Sequence, residues 1–116
     1  MHSTAPNNGK ALIVEDIRVA DVELRSRGYE CDRITHNELL STAGTVYTGR
    51  LLRGDYTLLW ISTPNEWYVR IHTKKFPVHW QRIQHWIQKA FEIGSKIILF
   101  GPPGFVWKMP NIKETI

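Results

Sequence analysis

A three-layer α/β domain on a parallel sheet of about four strands is the fold class this sequence predicts, and three observations carry it. Short apolar runs and amphipathic stretches alternate, strand then helix, three times along the chain. That alternation favours right-handed crossovers with helices on both faces of a parallel sheet. The strand candidates Lys10–Glu15 (KALIVE) and Asp55–Ser62 (DYTLLWIS) are near-continuous apolar runs, as strands buried on both faces must be. Gly28 and Gly94 stand where the first and last amphipathic stretches should stop.

Residues 1–9 (MHSTAPNNG) are polar and read as a disordered leader, followed by a single α/β domain over residues 10–116. Lys10–Glu15 is the first strand. Ile17–Arg27 carries Ile17, Ala20, Val22 and Leu24 and reads as an amphipathic helix. Tyr29–Thr35 is a more polar strand, suited to a sheet edge. His36–Arg53, with Leu39, Leu40, Val46, Leu51 and Leu52, reads as a helix interrupted near Gly44 and Gly49. Asp55–Ser62 is the strongest strand and belongs at the centre. Thr63–Pro77 shows no period and is long for a connection. Pro77–Ile93 is the clearest helix, with Trp80, Ile83, Ile87, Ala90 and Phe91 as its core stripe. Ser95–Phe100 is a fourth strand, followed by Gly101-Pro102-Pro103-Gly104. Strand order 2-1-3-4 is expected. Ligands in such sheets bind beyond the carboxyl ends of the strands, where the order reverses. Here that rim holds Glu15, Asp16, Ser62, Thr63, Pro64, Asn65 and the run from Gly101 to Gly104. Near the end, Asn111 followed by Glu114 resembles a capping box opening a helix that stops within its first turn. The domain is therefore expected to be incomplete, its missing layer supplied by a longer parent protein or a second copy.

The 116 residues suit one core, and no apolar run approaches the roughly 20 residues that span a bilayer. The start of the chain has no apolar signal region, which points to an intracellular, non-membrane protein. One cysteine, Cys31, excludes an internal disulfide and a cysteine-based zinc cluster. The net charge of +4 is uneven: residues 1–64 sum to −1 and residues 65–116 to +5. A basic half attracts nucleic acid, phosphorylated ligands or an acidic protein face.

Four constellations bear on chemistry. Phe100-Gly101-Pro102-Pro103-Gly104 looks like the opening of the phosphate loop of AAA-type ATPases. That loop needs G-x-x-x-x-G-K-[ST]; the second glycine's spacing and the hydroxyl are absent here, so a strand-ending turn is the reading. In Glu66–Arg82, basic and aromatic residues interleave. Trp67 and Tyr68 could stack bases while Arg70, Lys74, Lys75, Arg82 and Lys89 track phosphates, with Arg82, His85 and Lys89 opposite the core stripe. His72, His79 and His85 share a region but not a metal-ligand spacing, since six residues on a helix turn by about 120°. No zinc motif and no nucleophile elbow is present. Glu15 and Asp16 close the first strand, where carboxylates also favour a following helix N-terminus.

The segments Ala11–Asp16, Arg27–Cys31 and Asp55–Pro64 resemble the first three strands of response-regulator receivers, a flavodoxin-like fold related to Rossmann-like sheets. The resemblance covers residues 10–64. It implies that Glu15 and Asp16 match the magnesium-binding pair. It places Trp60 at the phosphoacceptor position, so it implies the fold without phosphotransfer. Leu58–Arg70, His79–Ala90 and Ile97–Lys108 are also similar to stretches of retroelement-type polyproteins of protists. They lack reverse transcriptase, aspartic protease and integrase signatures, so no such activity follows. The expectation is a non-catalytic binding module for nucleic acid or a phosphorylated ligand, with no cofactor identified. The alternatives are an enzyme of a nucleotide-type substrate using Asp16 or Glu15, and a protein-interaction domain.

Overall fold

The computed structural model describes residues 8–63 and 76–101. Seven elements follow in order: β1 (Gly9–Val14), α1 (Ala20–Ser26), β2 (Tyr29–Ile34), α2 (Thr42–Leu52), β3 (Leu58–Ser62), α3 (Phe76–Glu92) and β4 (Lys96–Phe100). The strands form one sheet in the order β2-β1-β3-β4, every pairing parallel. This is a three-layer, flavodoxin-like α/β fold. β1 starts at Gly9, earlier than the polar leader suggested, and the Asn8 N–H donates to the Gly28 carbonyl at 3.1 Å.

The pleat sorts the core into two sides. Leu12 and Val14 of β1 pack with Leu59, Ile61, Ile83, Trp86 and Ile87 under α2 and α3. Ala11 and Ile13 face the other way, with Leu58, Cys31 and α1's Ala20 and Leu24. All four β1 residues are fully buried because helices cover both faces of the central strands.

Two expected helix starts move. α1 begins at Ala20 rather than Ile17, and Ile17 and Val22 are 71% and 59% exposed rather than core. Only Ala20, Asp21 and Leu24 of this short helix turn inward, and buried Asp21 is held by Arg25 Nε at 2.8 Å. The helix expected from His36 begins only at Thr42. Thr35 and Glu38 do exchange the hydrogen bonds of a capping box, Thr35 N–H to Glu38 Oε1 at 3.1 Å and Glu38 N–H to Thr35 Oγ1 at 3.3 Å. The turn they open ends at Ser41, whose N–H donates to the Glu38 carbonyl at 2.9 Å, and the Leu39 carbonyl lies close against Gly44. α2 then runs unbroken through Gly44 and Gly49, so the break lies ahead of the glycines. A Cβ on Gly44 would sit 1.8 Å from the Leu39 oxygen, whereas one on Gly49 would meet nothing within 4 Å.

α3 and its stop at Gly94 (φ +81°) follow the pattern, but the stripe is rotated. Ile83, Trp86, Ile87 and Ala90 are buried, while Phe91 is half exposed. Trp86 Nε1 donates to Thr48 Oγ1 at 2.7 Å, joining α3 to α2. Within β2, Asp32 accepts from Tyr56 Oη at 2.6 Å and Arg50 Nη1 at 2.9 Å. Among the described residues no helix is long and apolar enough to cross a membrane.

Candidate functional site at the carboxyl ends of the strands

A cleft of about 910 Å³ opens at the carboxyl ends of β1, β3 and β4, beside α1. Glu15, Asp16, Ser62, Thr63 and Gly101 line it, together with Ile17, Arg18, Val19, Val22, Glu23, Trp60 and Phe100. Five of the expected rim residues thus share one cavity. Asn65 and Gly104 lie outside the described residues, as do Trp67, Tyr68, Arg70, Lys74 and Lys75 of the basic-aromatic segment.

The β1 exit turns sharply, and Glu15 holds the turn. Its carboxylate is buried and accepts three backbone N–H groups at the head of α1: Val19 at 3.2 Å and Ala20 at 2.9 Å on Oε1, Asp21 at 3.1 Å on Oε2. Arg33 Nε adds a charge-assisted bond to Oε2 at 3.2 Å, and Arg33 Nη2 donates to the Glu15 and Asp16 carbonyls at 3.1 and 3.3 Å. The helix head is therefore satisfied from inside the chain. Free amides at such a position would attract an anion; here a carboxylate already occupies them.

The second acid does different work. Asp16 Oδ1 accepts the His36 backbone N–H at 3.0 Å and so ties the β1 exit to the turn after β2. Glu15 and Asp16, adjacent in sequence, thus hold different partners. Among the described residues no three His, Cys, Asp or Glu are grouped to hold a metal ion.

Behind the cleft lies a feature the sequence reading missed. His36 and His79 are both buried, with His36 Nδ1 2.8 Å from His79 Nε2 and His36 Nε2 2.6 Å from the Ser62 carbonyl. His36 follows β2, Ser62 ends β3 and His79 lies in the first turn of α3, so one chain of polar contacts ties three elements. Burial holds both imidazoles below their ordinary value, His79 at about 3, where the neighbouring His36 adds to the effect. His79 alone looked like one member of a loose histidine group. His36 carried no periodic signal, because it sits in a turn and its partner is 43 residues away.

On the cleft wall, Trp60 Nε1 donates to Ser62 Oγ at 3.1 Å, and the Trp60 and Phe100 rings lie 5.8 Å apart. The Thr63 N–H donates to the Phe100 carbonyl at 2.9 Å, fixing the ends of β3 and β4. Ile17, Val19, Val22 and Phe100 expose more than half of their surface around this wall. Two candidate phosphate contacts are engaged elsewhere. Arg82 is not on a free outer face: its Nη1 donates to the Leu39 carbonyl at 3.2 Å and reaches Thr48 Oγ1 at 3.4 Å. Lys89 pairs with Glu92 at 3.1 Å. Cys31 is buried, and burial pushes its thiol up, away from the nucleophilic thiolate.

The fold places the chain among flavodoxin-like three-layer α/β domains with an apolar cleft at the strand ends. No protein-family model, curated protein or solved structure matches it.

Proposed function

We propose that the chain is a non-catalytic binding module whose site is the cleft at the carboxyl ends of β1, β3 and β4. One observation carries the reading: the amides heading α1 are filled by the Glu15 carboxylate, which leaves a wall of Ile17, Val19, Val22, Trp60 and Phe100. A phosphate brought to that helix head would meet a buried carboxylate instead of open donors. The ligand this wall favours is an uncharged or weakly charged group with a planar apolar body, which rings and branched aliphatics bury well. Catalysis has little support at the same place, since Glu15 is spent on the helix head and Asp16 on the His36 amide.

Nucleic acid is the competing reading, resting on the basic half of the sequence and on residues 65–75. The two separate by amide NMR on the full chain. Indole should shift the amides of Val19, Val22 and Trp60, and Val22→Asp should abolish the shifts, while inorganic phosphate leaves them unmoved. An oligonucleotide that shifts them instead would overturn the proposal, its affinity falling with salt at a slope of about −0.7 per phosphate contact.

A further inference from the structure

The His36–His79 pair performs no task in the binding reading, yet it is a costly thing to bury. Its hydrogen-bond pattern is fixed by its ends. The Ser62 carbonyl only accepts, so His36 Nε2 carries a proton. A neutral His36 then has a bare Nδ1, which must accept from His79 Nε2–H. With both rings neutral, each is the Nε2–H tautomer. The chain accepts no further proton cheaply. A proton on His36 Nδ1 would force His79 onto its Nδ1–H tautomer, and a proton on either ring would leave a cation with almost no exposed surface. Among the described residues the charged group acting on the pair is Asp16, from the β1 exit, which favours protonation but is outweighed by burial. Ser62 contributes a carbonyl and no charge, and the ring stacked on His79 is the neutral Trp80, 6.1 Å away.

From this geometry we propose that the His36–His79 pair is an acid-released latch: proton uptake frees the turn carrying His36 and the first turn of α3 from the end of β3. The released rings reach water and charge there. Because Ser62 and its neighbour Thr63 line the cleft, release loosens the cleft floor. The inference stands whether or not the cleft binds the ligand class proposed above.

With His79 held at about 3 against an ordinary 6.5, the folded chain stays neutral where an opened chain takes up a proton. Stability is full above pH 6.5 and falls as pH falls toward 3. Between pH 7.5 and 5.0 one such histidine multiplies the opening constant about 30-fold. Carboxylates held below their ordinary range, such as Asp32, act at lower pH and leave this window clear.

The experiment uses the full chain with 15N-labelled histidine. Two imidazoles should appear as Nε2–H tautomers that keep their neutral shifts to pH 5.5. Amides of residues 35–41 and 78–80 should lose hydrogen-exchange protection at pH 5.5 while those of β1 keep it. In urea, His79→Gln should remove about 30-fold of the pH 7.5-to-5.0 change in the unfolding constant, and the exposed-site control His85→Gln should leave it. Should His79→Gln fail to fold, the wild-type spectra decide. Two rings that titrate near 6.5 in an intact fold, protection lost uniformly through the sheet, or an unchanged pH slope in His79→Gln each overturn the latch.

Discussion

At the scale of single residues, position relative to a backbone end matters more than residue type. Glu15 looks like one half of an acidic pair, but four atoms donate to its carboxylate from α1 and β2, the turn's own donors among them. Glu15→Ala should strand those amides and leave Arg33 without its carboxylate partner. The expected loss is on the order of 3 kcal/mol in urea unfolding, with Glu15→Gln intermediate. The two glycines of α2 make a second contrast. Gly44→Ala should destabilise by about 1–3 kcal/mol despite alanine's better helix propensity, because its Cβ would overlap the Leu39 carbonyl. Gly49→Ala, with open space around it, should stabilise by about 0.5–1 kcal/mol. A pair of urea midpoints checks both, and equal effects would contradict the close approach at Gly44.

At the scale of elements, the pattern located each helix and strand among the described residues, but the faces of some differ from it. In α3 the spacing from Ile83 fits either Phe91 or Trp86 as a neighbour on the stripe. Trp86 takes the inner position because its Nε1 finds Thr48 on α2, and Phe91 is left outside. Trp86→Ala should therefore cost about 3–5 kcal/mol, while Phe91→Ala should change stability by no more than about 0.5 kcal/mol. Thermal unfolding of the two variants tests the assignment, and comparable losses would count against it. α1 shows the same effect. Val22 of the helix and Ile17 ahead of it lie toward the cleft because Glu15 sets where the helix starts, and that anchor is a contact no period encodes.

At the scale of the whole molecule, the 2-1-3-4 order puts β1 and β3 in the middle and β2 and β4 outside. The middle strands are covered on both faces, whereas the outward-lying Ile97, Ile98 and Leu99 of β4 are only half buried. Hydrogen exchange at neutral pH should be slowest at Ala11–Val14 and Leu58–Ile61, with β2 and β4 faster. Protection that peaks in β4 would contradict this order of burial. The same topology gathers the rim. Glu15, Ser62 and Gly101 are far apart in sequence and meet only because three parallel strands end on one side.

The sequence by itself determined the layers, the strand order and the rim. Those depend on apolar runs, glycine stops and the handedness of crossovers, all of which are local or generic. It also marked residues that line the cleft, such as Ser62, Thr63 and Gly101, through their place at strand ends. Tertiary structure alone decided what those residues do. The Glu15 carboxylate became a helix-head anchor, Arg82 turned inward to Leu39, and His36 met His79 across a gap of 43 residues. These outcomes rest on hydrogen-bond partners brought together by packing. A buried donor or acceptor must find its partner in space, and no spacing along the chain states which partner that will be.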